Sequence, residues 1–272
     1  MHILPSNIGT AAVALVYPLL LSSGFLPSRD VQQPSVTVPI AISQLMPLPQ
    51  EILLNSYSRG QSELVSGRFL EAVENFNIAA EAASSPSPDV YTSRGIAEEK
   101  LFRWDDAIAD YKKSMQIIKR RFPFMSDATV LSNLANAESG RGGIGDFELA
   151  LRDFTLAANL DKSFVAPKIG RGLMLYELSD SKDTNSGEAK KIFQELLQQY
   201  PTYPDFLAAI ACIVYHESGP TAEVRSNFQK AIVGDPRYRD KMWVETVRRW
   251  PPRLVSVLSD LLDDPEILSR KQ

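Results

Sequence analysis

The sequence predicts an all-α protein, a solenoid of about five helix–turn–helix units with a C-terminal capping helix. Three observations predict it. One spacing of small and aromatic residues returns five times between residues 51 and 236. Charge is almost absent before residue 50 and abundant after it. Residues 237–272 abandon the repeat but keep a helical spacing of leucines.

The repeat comes first because a fixed period constrains the fold more than any single motif. A small residue is followed four positions later by a ring at Ala72 and Phe76, Ala107 and Tyr111, Ala150 and Phe154, and Ala189 and Phe193; Val224 and Phe228 complete the set with a larger first member. Three positions further on stand Ala79, Ser114, Ala157, Leu196 and Ala231. Offsets of four and then three place all three residues on one face of a helix. Small side chains there let two helices approach closely, and the ring fills the space beside them. Twelve residues upstream, Gly60, Gly95 and Cys212 mark the first helix of units one, two and five. In the two longer units Ala135 and Gly170 are expected in that place, with extra residues between the helices at 139–146 and 179–188.

These residues resemble the tetratricopeptide repeat family. Residues 89–116 carry the match most fully, with Tyr91, Gly95, Trp104, Ala107, Tyr111 and Ser114 at signature positions. Residues 67–82 and 145–161 match a turn and second helix, and the last unit supplies Gly219, Phe228, Ala231 and Pro236. The resemblance covers about residues 53–236, and Leu196 and Val224 are bulkier than the family pattern prefers. It implies a right-handed superhelix whose first helices line a concave groove, and a scaffold that binds another protein rather than an enzyme. The groove phase nominates Thr92, Ile96, Glu99, Asn136, Arg171 and Met174 for contact with a partner peptide or helix. Chaperone-binding relatives hold a C-terminal carboxylate with a clamp of Lys, Asn and Arg. The matching places here are Tyr57, Gln61, Ser93, Thr129 and Asn133, with no cation among them, so binding of a chaperone tail is not expected.

Before the repeats, no Asp, Glu, Lys or Arg occurs from Met1 to Ser28, and residues 8–26 form an apolar run of 19. That is close to the length of a bilayer-crossing helix. A cleaved signal or transit segment, a retained anchor and a structural role all fit, although only His2 stands where a signal wants positive charge. Residues 29–50 carry Pro34, Pro39, Pro47 and Pro49 and read as a linker. The domain plan is therefore 1–28, 29–50, 51–236 for the repeats and 237–272 for the cap. In the cap, RRWPPRL at residues 248–254 leads into Leu254, Leu258, Leu261 and Leu262. A solenoid must cover its last apolar face, so Trp243 and Trp250 are expected in cap packing. This ending resembles that of cyanobacterial and plastid tetratricopeptide proteins. It points to a chloroplast, thylakoid or other membrane-associated location.

Composition narrows the chemistry. Net charge is −4 with pI about 5.4, which disfavours nucleic acid as a partner. A single cysteine, Cys212, excludes an intrachain disulfide, and two histidines with one cysteine are too few for a zinc site built on His and Cys. No phosphate-cradling, dinucleotide, metalloprotease or nucleophile-elbow motif is present, so no cofactor is expected. The rival reading is an enzyme, or its regulatory half, built around Cys212 and His216 one helical turn apart.

Overall fold

The structure is a computed structural model that describes residues 49–82, 87–123, 125–179 and 184–268. The apolar run at residues 8–26, and with it the signal, transit or anchor reading, lies outside the described residues. Five helical pairs follow one another. They are α1 (Pro49–Val65) with α2 (Phe69–Ala82), α3 (Pro88–Lys100) with α4 (Trp104–Arg121), α5 (Ala128–Arg141) with α6 (Ile144–Leu160), α7 (Val165–Glu177) with α8 (Thr184–Gln199), and α9 (Pro204–Ser218) with α10 (Ala222–Gly234). No strand occurs among the described residues.

The helix boundaries follow local chemistry. Proline opens α3 and α9, where its missing N–H costs nothing. Asp127 caps α5 by accepting from the N–H groups of Thr129 (2.8 Å) and Val130 (3.2 Å). After α1, Gly67 takes a left-handed conformation (φ 76°) and Arg68 N–H donates back to Glu63 O at 2.9 Å, which stops the helix and turns the chain.

Packing between helices rests on the repeated residues. The small residue, the ring and the third member of all five units are buried, none more than 2% exposed. Gly60 and Gly95 leave no room for a side chain: a Cβ there would lie 2.6 Å from the Phe76 ring and 2.8 Å from that of Tyr111.

Units three and four depart from expectation. The glycines at 142 and 143 do not lengthen unit three; they form a two-residue turn (φ 82° and 103°) between α5 and α6. The extra length instead precedes the unit, in the 18-residue α4 and the residues that follow it. The register of twelve therefore holds, and Glu138 rather than Ala135 stands at the small-residue position. In unit four Gly170 meets Phe154 of the preceding unit, while Gly172 meets Phe193 of its own, where a Cβ would lie 3.0 Å from the ring.

Contacts between non-consecutive helices of the array run α1 to α3, α3 to α5 and α5 to α7, and among the described residues no comparable contact joins the second helices. The first helices therefore lie on the inside of the curve. After α10 a 3-10 turn (Pro236–Arg239) leads to α11 (Lys241–Thr246), α12 (Pro252–Asp263) and α13 (Pro265–Leu268). The cap does more than cover an end. α12 turns back and packs on α7 and α9, both first helices, with Leu254, Leu258 and Leu261 fully buried.

Candidate functional site

The inner surface is built from side chains on the first helices. At its N-terminal end Gln61 Nε2 donates to Tyr57 OH and to Ser93 Oγ, both at 2.8 Å, tying α1 to α3. These are three of the places that correspond to the carboxylate clamp, and they form a neutral hydrogen-bonded patch.

The nominated residues scatter around this surface. Thr92 Oγ1 donates to Pro88 O (3.0 Å) and lies 2.8 Å from Ser114 Oγ, so it is taken up between α3 and α4. Ile96 is half-buried against the cluster of Ala107 and Tyr111. Asn136 is exposed on α5. Met174 is buried in the core. Arg171 turns toward α8, pairs with Glu188, and borders a cavity of about 250 Å³ shared with Lys162, Lys168, Glu195 and Gln199. Only Glu99 meets a distant segment of chain.

Glu99 accepts from Tyr111 OH at 3.0 Å and pairs with the Arg249 guanidinium. Burial, and then the neighbouring carboxylate, pushes the Tyr111 hydroxyl well above the usual phenol range. Arg249 also covers the Trp104 ring at 5.2 Å. Beside it, burial and then the Arg249 charge hold the Lys100 ammonium below its ordinary pKa.

Two further carboxylates on first helices do the same work. Asp205 at the start of α9 accepts from Arg248 Nε at 2.7 Å. Glu177 at the end of α7 accepts the backbone N–H of Arg253 at 2.8 Å, in the first turn of α12. A carboxylate there satisfies an orphan donor and faces the positive end of a helix. The Arg253 guanidinium also lies over Tyr176, at 5.5 Å. No local pattern in the sequence marks Asp205, Glu177 or the arginines that meet them, because the partners stand 43 and 76 positions apart. The signal that could have found them is a basic, proline-bearing run ahead of an amphipathic helix, opposite acidic residues at inner positions.

Glu138 is of another kind. Its side chain is fully buried, and among the described residues neither carboxylate oxygen has a hydrogen-bond partner and the nearest cation is Lys112 Nζ at 3.8 Å. Burial, reinforced by Asp153, pushes its pKa up to about 7.

Cys212 and His216 do not form a working pair. Cys212 is completely buried and its thiol is pushed well up by burial, whereas His216 is exposed, edge-on to Tyr176. A nucleophilic cysteine needs an accessible, polar surrounding. Among the described residues no group of three or more His, Cys, Asp and Glu could hold a metal ion, and no helix is long and apolar enough to cross a membrane.

No family profile matches the sequence, and no curated protein does. Solved structures do match. YrrB, described as a TPR protein with an unusual peptide-binding site, is 15% identical, with TM-score 0.52 over 72% of this chain and 92% of its own. A structure of MamA is 16% identical, with TM-score 0.54 over 69% and 94%. PilF of Pseudomonas aeruginosa is 16% identical, with TM-score 0.55 over 80% and 96%. At these identities the likeness concerns architecture. Together with the buried rings and the paired helices, it gives this chain the helical solenoid fold of tetratricopeptide repeat proteins.

Proposed function

We propose that this protein is an interaction scaffold that binds a peptide or helix of another protein on the inner surface of its helical array. The observation that carries the reading is the distribution of polar groups. Gln61, Ser93, Glu99, Glu177 and Asp205 all sit on first helices, and Asn136 stands exposed there. Extended recognition by a curved array uses this arrangement, with apolar anchors and a few directed hydrogen bonds. The likeness in fold to YrrB, described as peptide-binding, supports it.

The test is a photo-crosslinking amino acid placed at Asn136, exposed on the first helix of unit three, or at Lys230, exposed on the second helix of unit five. The reading expects a discrete adduct from position 136 and none of that mass from 230. Equal labelling from both positions would rule out a preferred inner surface.

We also propose that residues 8–26 target or anchor the protein to a membrane system, with a plastid or thylakoid as the compartment. The support is the uncharged apolar run and the resemblance of the C-terminal end. Fractionation of cells expressing the whole chain, or a chain lacking residues 1–28, tests it. Identical partition of the two would end this part of the reading.

A further inference from the structure

Part of the chain itself lies against the first helices. Residues 248–263 touch three first helices through their head, and α12 packs on α7 and α9. Arg249 meets Glu99 on α3, Arg248 meets Asp205 on α9, and Glu177 on α7 caps the N-terminus of α12. Beyond this head, Leu254, Leu258 and Leu261 present one apolar face, at the spacing of a helix laid in a groove. Arg249 sits in the left-handed region (φ 55°), where a residue with a side chain is strained. Such a residue persists where its surroundings hold it, and here Glu99 and the Trp104 ring do so.

Resting on the reading of the inner surface as a binding site, we propose that residues 248–263 are an intramolecular ligand, and that the partner this surface fits is a basic-headed amphipathic helix that takes their place. Three carboxylates on three first helices face arginines and a helix N-terminus, and an apolar stripe follows. A partner carrying two cations ahead of a helix with leucines at i, i+4 and i+7 makes the same contacts. The chain's own copy lowers the apparent affinity of that partner by the fraction of molecules in which the segment is seated.

The experiment uses the whole chain and a fluorescein-labelled peptide of residues 247–264. Anisotropy measures peptide binding to the wild type, to Arg249→Glu, and to the double variant Glu99→Arg with Arg249→Glu. Hydrogen exchange is followed in α9 and α12 of each. Arg249 lies at the surface end of the segment and outside the leucine core, so the variant loosens the head without emptying the core. The expected result is about tenfold tighter peptide binding by Arg249→Glu, since a minor open state that grows tenfold raises affinity by that factor. α12 amides exchange faster while α9 amides stay protected, and the charge-swapped double variant returns to wild-type behaviour.

Equal affinity in wild type and Arg249→Glu would overturn the intramolecular ligand and leave the inner surface standing as a binding site. Failure of Arg249→Glu to bind peptide, with α12 open by exchange, would overturn the binding surface itself. Simultaneous opening of α9 and α12 in Arg249→Glu would make the segment ordinary core and end the proposal. Concentration-dependent dimers of Arg249→Glu would support it, with a second copy supplying the helix.

Discussion

Phe102 of the second unit holds the left-handed backbone conformation that Gly67 holds in the first (φ 59° against 76°). The two turns have the same wiring: Arg103 N–H donates to Glu98 O at 2.9 Å, as Arg68 N–H does to Glu63 O. A residue with a side chain pays roughly 1–2 kcal/mol for that conformation, and glycine does not. Glycine in turn loses about 0.5–1 kcal/mol more chain entropy on folding. Phe102 is 60% exposed and touches Trp104 edge-on, so little packing is lost with it. Phe102→Gly is therefore expected to leave stability within about 0.5 kcal/mol of wild type or raise it, whereas Gly67→Ala lowers it by about 1 kcal/mol. Urea unfolding of the two variants checks the pair; a large loss in Phe102→Gly would show that the ring contributes more than its exposure allows.

Glu138 predicts a pH dependence. Its folded pKa is raised to about 7 from 4.5, so its contribution is fully present below the unfolded value and is lost as pH rises through about 7. The shift corresponds to at most about 3 kcal/mol, lost chiefly between pH 5 and 8. Glu138→Gln keeps the shape and removes the charge. It is expected to match wild type at pH 4.5 and to be more stable by about 1–3 kcal/mol at pH 8. Thermal unfolding at the two pH values decides; a constant difference would mean that the carboxylate is not the titrating group.

Two glycines should respond oppositely to the same change. In a helix Ala is favoured over Gly by about 1 kcal/mol. A Cβ at Gly145 would meet nothing within 4 Å among the described residues, so Gly145→Ala is expected to gain up to that amount. At Gly95 the Cβ would sit 2.8 Å from the Tyr111 ring, and the overpacking cost of about 1–3 kcal/mol exceeds the gain. Gly95→Ala is expected to lower the denaturation midpoint, and an increase would show that α3 and α4 have room to part.

Cys212 should be silent in the native state. It is fully buried and its thiol is pushed up by burial, so neither access nor thiolate is available. A maleimide is expected to label it only as the protein unfolds. Rapid labelling of folded protein would revive the reading of Cys212 and His216 as a reactive pair.

The sequence carried the architecture because the packing is periodic and local. Ala107, Tyr111 and Ser114 lie within two turns of one helix, and their spacing alone announces a face. Such logic stops where the period breaks. In unit three the glycines at 142 and 143 stand out, while the residue that matters is Glu138, a carboxylate where units one, two and five place glycine or cysteine. In the candidate site Glu99 could be found from the phase of its helix. Its partner Arg249 could not, because nothing in a local pattern says that residues beyond the last unit return to the second. Thr92 shows the converse: its phase points inward, yet a hydroxyl is short enough to be claimed by Ser114 and the Pro88 carbonyl.

The contact between Glu99 and Arg249 spans 150 positions, whereas the repeat helices pack chiefly on their neighbours. A linear array can start to fold anywhere and grow from pair to pair. Closing a long loop between its second pair and its tail adds an entropic toll that slows the last step. At about 5–20 residues per second, translation puts roughly 8–30 s between the emergence of the two residues. A nascent chain thus spends that interval as an open array with its inner carboxylates bare, and maturation ends only when the tail arrives.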